Sequence, residues 1–207
     1  MGLPVDQLIV ATNKNDILHR FFQHDGDYSL HKDGVAQTIS PSMDIGVSSN
    51  FERFLFHVGG DDAEAMATMM SNFEATGKLN PPASLVSAAK EVMTSASVAD
   101  DEILQTIADV HTRADGYTLD PHSAIGVAAA RKVRTAGTTT PMACLACAHW
   151  AKFPDANARA LGAEKSAALV VPEPLASLHT LETRVVVQPY DVPTVQGFIQ
   201  KTLAARA

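Results

Sequence analysis

Two kinds of spacing organise the apolar positions of the chain. Leu8-Ile9-Val10-Ala11-Thr12 is a short unbroken apolar run closed by polar residues, which predicts a buried strand of a parallel sheet. Asn13-Lys14-Asn15-Asp16 follow, and then Ile17, Leu18, Phe21 and Phe22 recur at the spacing of a helix face. A polar cluster between strand and helix stands at the carboxyl end of the strand, where open α/β sheets bind ligands. Residues 23–41, rich in Gly, Asp and Ser, predict a loop. Helical spacing returns at Phe51, Phe54, Leu55 and Val58, and Gly59-Gly60 ends it. A further helix is predicted over 61–76, with Asp61 and Asp62 in its first turn and Gly77 as its C-cap. Asn80-Pro81-Pro82 is a break, and 84–92 predict a short helix.

Val98-Ala99-Asp100-Asp101-Glu102 leads into a helix that sets Ile103, Leu104, Ile107 and Val110 on one face. Tyr117-Thr118-Leu119 predicts a short strand, and Asp120 caps a helix with Pro121 in its first turn. That helix runs to about residue 134 and carries Ala124, Gly126, Ala128, Ala129 and Ala130, small enough to let it lie close on a sheet. The run from Pro141 to Cys147 predicts a second buried strand. Beyond Leu161-Gly162 the chain is irregular and proline-rich, with a terminal helix near 193–205. Strands alternating with helices indicate an α/β layer architecture. The strand count is low for a closed core, which points to part of a domain rather than a whole one.

Composition changes little in this picture and removes several function classes. At 46% hydrophobic and 19% charged, the 207 residues have the make-up of an ordinary soluble globular protein with a real core. The net charge of −7 is spread without a basic cluster, which speaks against a nucleic-acid partner. No apolar run approaches the roughly 20 residues of a membrane span. The opening Met1-Gly2-Leu3-Pro4-Val5-Asp6 lacks the form of a secretory signal, and Asp6 stands where a myristoylation motif wants Ser or Thr. The expected location is the cytoplasm, with both cysteines reduced.

Each candidate chemical group has a plain structural alternative. Cys144-Leu145-Ala146-Cys147 is formally a C-x-x-C, but haem attachment wants His directly after the second Cys, and zinc would need ligands that no other cysteine supplies. Read as part of an apolar strand, the two are structural cysteines rather than a redox pair. The eight histidines are scattered, without H-E-x-x-H or H-x-H, so no metal site is expected. Asn13, Asn15 and Asp16 are either a turn and helix cap or a ligand-facing rim. Ser48, Ser49 and Arg53 are either an ordinary helix start or an anion site. There is no G-x-G-x-x-G, P-loop or nucleophile elbow.

Five strings in a fixed order carry a resemblance to one family. Ala11-Thr12-Asn13-Lys14-Asn15-Asp16-Ile17-Leu18, Ser40-Pro41-Ser42-Met43-Asp44-Ile45 and Ser48-Ser49-Asn50-Phe51-Glu52-Arg53 resemble threonine synthases of the bacterial and fungal type. So do Leu119-Asp120-Pro121-His122-Ser123-Ala124-Ile125-Gly126 and Ala146-Cys147-Ala148-His149-Trp150-Ala151-Lys152-Phe153-Pro154. The resemblance implies the C-terminal portion of a type II fold dependent on pyridoxal 5'-phosphate (PLP), like the tryptophan synthase β subunit: an incomplete sheet flanked by helices. It implies a partial catalytic domain over 1–162 and a proline-rich extension with a terminal helix over 163–207. The implied reaction converts O-phospho-L-homoserine and water into L-threonine and phosphate. PLP serves there as an electron sink.

The resemblance also assigns residues. The threonine whose hydroxyl faces the PLP ring nitrogen in the family's Ala-Thr-Ala-His string is Cys147 here, and a thiol is the weaker hydrogen-bond partner. Asn13, Asn15, Asp16 and His149 fall at family positions near the site, and Ser48, Ser49 and Arg53 at those implied for the substrate phosphate. Trp150 departs from the proline usual after that histidine. The Schiff-base lysine and the phosphate loop of the family lie upstream of the matched region. None of the lysines at 14, 32, 78, 90, 132, 152, 165 and 201 stands in the lysine's context, so no catalytic residue is expected in this chain and activity alone is not expected. The alternative to a synthase fragment is a non-catalytic, degenerate paralogue acting as a binding or regulatory partner.

Overall fold

A computed structural model of the chain describes residues 4–205; of the opening stretch read for targeting signals, Met1, Gly2 and Leu3 lie outside the described residues. The chain divides into two compact units, Met1–Leu169 and Val170–Ala207.

The first unit begins with β1 (Leu8–Thr12), α1 (Ile17–Gln23), the two-residue β2 (Tyr28–Ser29) and a 3-10 turn at Pro41–Met43. Then come α2 (Phe51–Val58), α3 (Ala63–Thr76), β3 (Lys78–Leu79), α4 (Ala83–Val92) and β4 (Met93–Ser97). It closes with α5 (Asp100–Arg113), α6 (Pro121–Val133), a 3-10 turn at Trp150–Lys152, α7 (Pro154–Leu161) and α8 (Ala163–Ala167). α1 to α6 thus fall where the apolar spacing puts them, whereas α7 and α8 have no counterpart in the predicted elements. Asp62 caps α3 by accepting the Ala65 N–H, and Gly77 ends it at φ +69°.

The sheet decides the layering. β1 pairs in parallel with β4, Leu8 opposite Met93 through Thr12 opposite Ser97. Successive side chains of β1 point to opposite faces, as a strand requires: Val10 packs into one core, Ile9 and Ala11 into another. The first core is aromatic and belongs to α1 to α4, with Phe21, Phe22, Tyr28, Phe51, Leu55 and Phe73 buried. Its rings meet both edge-on, as Phe21 and Phe51 do at 4.8 Å between centroids, and stacked, as Tyr28 and Phe51 do at 5.5 Å. The second core belongs to α5 and α6, where Ile103, Ile107, Ala124, Ile125 and Ala129 have no exposed surface. The small residues of α6 let it lie close to the sheet, as the Ala-rich pattern predicts. The result is a helix–sheet–helix sandwich around a two-stranded parallel sheet. β2 and β3 form a separate antiparallel pair.

Three expectations are corrected. Residues 141–147 are not a strand: they are irregular, mostly exposed, and no described strand lies beside them. An apolar run becomes a strand only where a neighbour takes its N–H and C=O groups, and here none does. Cys144 and Cys147 are accordingly exposed rather than buried. Tyr117–Leu119 is also irregular, a connection between α5 and α6 that follows the left-handed Asp115-Gly116 turn.

The second unit contains α9 (Glu173–Ala176), a 3-10 turn at Ser177–Thr180 and α10 (Val192–Ala204). Asp191 caps α10 by accepting the Thr194 N–H, and Pro193 sits in its first turn. Among the described residues no helix is long and apolar enough to cross a membrane.

Candidate functional site

The polar residues that close β1 face inward. Asn13 is fully buried, and its amide nitrogen lies 2.9 Å from Thr38 Oγ1, 3.0 Å from Ser40 Oγ and 2.9 Å from Asp44 Oδ1. Its side-chain oxygen accepts the Asn15 N–H. Asn15 accepts the Ala36 N–H and donates to Ala36 O and Asp44 Oδ1. Asp44 also accepts from the Thr38 N–H and hydroxyl. The two asparagines therefore clamp the 36–44 loop onto the end of β1. Asp16 instead turns to Arg20 and His31, at 3.2 and 3.1 Å.

The clamped loop carries the 3-10 turn to the start of α6. The Ser42 N–H donates to His122 Nε2 at 3.2 Å, a bond that takes the lone pair on that nitrogen. His122 Nδ1 then carries the proton and donates to Asp120 Oδ1, 2.9 Å away. Asp120, only 1% exposed, also accepts the His122 and Ser123 N–H groups as the cap of α6, and the Ser123 hydroxyl. Ser123 Oγ in turn accepts the Cys147 N–H at 2.9 Å. Two sets of hydrogen bonds, joined by the covalent 40–44 turn, thus connect the end of β1 to Cys147, through residues that no local sequence pattern links.

The Cys147 thiol is pushed above the ordinary cysteine value, first by desolvation of the sulfur and second by the negative charge of Asp120. At neutral pH it is therefore held as S–H. His149 caps the second 3-10 turn, its Nδ1 accepting the Ala151 N–H, and its ring lies 5.1 Å from that of Trp150. Phe153, three residues on, brings its ring to 4.8 Å from His122.

Ser48, Ser49 and Arg53 gather separately, at the start of α2. Tyr28 fixes the entry, its hydroxyl accepting the Ser48 N–H and donating to Ser48 O. Asn50 stands at the N-cap without a side-chain bond to the helix. Ser49 and Arg53 line a cavity of about 340 Å³ with Glu52, Phe56, Ala63, Met66 and Ala67. A larger cavity of about 840 Å³ between α2, α3 and α4 contains none of the candidate site residues.

The sequence motifs miss His122, Ser123 and Asp44 as site residues. Asp120 is legible as a helix cap, but it reaches Cys147 only through Ser123, across a fold contact 24 residues long. The one available signal lies in the ordered strings, which include both Asp120-Pro121-His122-Ser123 and Cys147.

Comparison with known proteins places the chain. A family model described as "Threonine synthase, C-terminal" matches residues 123–199. The threonine synthase of Pseudomonas aeruginosa is 45% identical over 97% of this chain. The crystal structure of PLP-bound threonine synthase from Brucella melitensis superposes with a TM-score of 0.85 at 41% identity, over 97% of this chain and 41% of that one. Threonine synthase from yeast superposes at 0.84 with 36% identity, over 99% of this chain and 43% of that one. The chain spans 41% of the length of the Pseudomonas relative.

Proposed function

By sequence and by fold the chain is a relative of the threonine synthases, matching their C-terminal part, and from that premise we propose that it serves the PLP-dependent conversion of O-phospho-L-homoserine and water into L-threonine and phosphate. The observation that carries the reading is the likeness to a PLP-bound threonine synthase over 97% of the chain, in sequence and in fold together. In that reaction PLP supplies the electron sink for the charge left when the substrate loses its α-proton.

Cys147 stands at the ring nitrogen in this reading. The fit is one of protonation: a thiol held as S–H is a donor, and its one proton, which is turned to Leu145 O at 3.6 Å, would swing to an unprotonated ring nitrogen, a weaker bond than a hydroxyl gives. Asn13 and Asn15 act at one remove, by fixing the 36–44 loop that carries Ser42 to His122. Asp16 orients Arg20 and His31 at the same strand end. Ser48, Ser49 and Arg53 take the phosphate of the substrate at the start of α2, where the chain offers two hydroxyls, a guanidinium and the positive end of a helix. Glu52 shares that cavity and must keep its carboxylate turned from the anion. His149 borders the Cys147 loop, its ring beside that of Trp150.

The 207 residues alone are inactive in this proposal, because none of their eight lysines stands in the setting of the family's Schiff-base lysine. The working location is the cytoplasm. The test is a chimera in which this chain replaces the matching C-terminal part of the Pseudomonas enzyme. It is expected to release threonine and phosphate from O-phospho-L-homoserine, while the chain alone leaves no PLP fixed to a lysine after borohydride. A chimera that folds and holds PLP but turns over no substrate would sink the reading.

A further inference from the structure

The segment from Pro141 to Ala148 is irregular and largely exposed, yet it presents the residue assigned to the cofactor. Among the described residues it has one main-chain hydrogen bond to the body of the unit: the Cys147 N–H to Ser123 Oγ, at 2.9 Å. Its other ties are weak and made by sulfur, Cys144 Sγ to Gly126 O at 3.7 Å and Cys147 Sγ to Leu145 O, within the segment itself, at 3.6 Å. One hydroxyl therefore sets the position of the Cys147 backbone.

The direction of that hydroxyl is fixed as well. Asp120 is a carboxylate that only accepts, so the Ser123 O–H must donate to it, which leaves a lone pair of Ser123 facing the Cys147 N–H. Asp120 cannot turn away, because its oxygens are also held by the His122 N–H, His122 Nδ1–H and Ser123 N–H, with no side-chain surface exposed. Pro121 opens α6 behind this cap, so the whole arrangement rests on a helix end rather than on a loop.

We propose that Ser123, locked by the Asp120 carboxylate, is the positioning residue that sets where the Cys147 thiol stands at the ring-nitrogen side of the cofactor. The inference rests on the assignment of Cys147 to that nitrogen. Ser123 touches neither substrate nor cofactor; it acts through the Cys147 main chain. The raised thiol goes with the same geometry, since a main chain held at Ser123 leaves the sulfur partly desolvated and within the field of Asp120.

The test uses the full chain with Cys144→Ser, which leaves Cys147 as the one thiol. Its alkylation by iodoacetamide is followed against pH. Ser123→Ala releases the loop, and the midpoint is expected to fall toward the ordinary cysteine value, with about threefold more thiolate at a given pH for each half unit. Ser123→Thr keeps the hydroxyl and is expected to keep the profile, which a merely structural loss would not do. A second reading needs no substitution at Ser123: the Cys147 amide should exchange with deuterium more slowly than those of Leu145 and Ala146. That comparison decides by itself if Ser123→Ala loses its circular dichroism. A folded Ser123→Ala with an unchanged profile would overturn the proposal, as would a Cys147 amide exchanging as fast as its neighbours. Neither readout involves PLP, so a failure here is distinct from a failure of the chimera to make threonine.

Discussion

At the scale of single residues, Asn13 is the most tightly engaged side chain of the strand end. Its amide group meets Thr38, Ser40 and Asp44, and its oxygen takes the Asn15 N–H. Asn13→Ala is expected to lower stability by about 2 kcal/mol or more, since buried partners lose their bonds and are left dry; urea unfolding measures it. Asn13→Asp is the sharper probe. It would set a second carboxylate beside Asp44, where the amide now stands 2.9 Å away, so its cost should be larger at neutral pH than in mild acid, where one carboxyl can take a proton. His19 gives a separate pH dependence. Its pKa is lowered below 6.5, first by burial, with His24 and Lys132 adding to the fall and Asp16 and the Ser95 bond opposing it. The unfolded chain then binds the proton more readily. The stability His19 contributes is complete above the ordinary histidine value and is lost as pH falls through the lowered one. His19→Gln should flatten the urea midpoint against pH across that window; an unchanged slope would assign the dependence to other groups.

At the scale of elements, Gly26 shows how a turn sets the packing of a helix. It follows Asp25, both with positive φ at +47° and +85°, and a Cβ built on it would lie 2.7 Å from Val86 Cγ2 and 2.8 Å from Pro81 Cγ. Gly26→Ala therefore combines backbone strain of about 1 kcal/mol with a clash against α4, and should lower the melting temperature more than Gly34→Ala, where φ is also positive but nothing lies nearby. Helices such as α2, α3, α5 and α6 were legible because 3.6-residue spacing and caps such as Asp62, Gly77 and Asp120 are local signals. The strands were legible only in part. β4 reads Met-Thr-Ser-Ala-Ser, with no apolar run, and becomes a strand because β1 offers a parallel edge while α1 and α6 cover its two faces. Its small side chains are what that close cover requires. The run ending at Cys147 fails in the opposite sense: apolar enough for a strand, it has no neighbour to pair with. The site follows the same division. Asn13 and Cys147 were marked by family strings, but the Asn13–Asp44 clamp and the Ser123–Cys147 bond exist only once residues 24 to 31 positions apart are folded together.

At the scale of the whole molecule, the sheet is the element least complete in itself. β1 and β4 pair only with each other among the described residues, so each presents a row of unpaired main-chain groups along its outer edge. Val5, just before β1, is 56% exposed and Leu145, beside Cys147, is 83% exposed. A longer relative has more than half its length outside the matched part, since this chain spans 41% of the Pseudomonas enzyme. Helices on both faces protect the two cores, so the unit should keep its secondary structure, but its edges should seek partners. Expressed alone, the chain is expected to bind a hydrophobic dye strongly and to scatter light increasingly with concentration, while far-UV circular dichroism retains its helical form. Fusion to the N-terminal part of the Pseudomonas enzyme should suppress both the dye signal and the scattering, because the added chain supplies what the edges lack. A sharp cooperative melt of the lone chain, with no dye bound and no scattering, would mean that these edges are satisfied without further sequence.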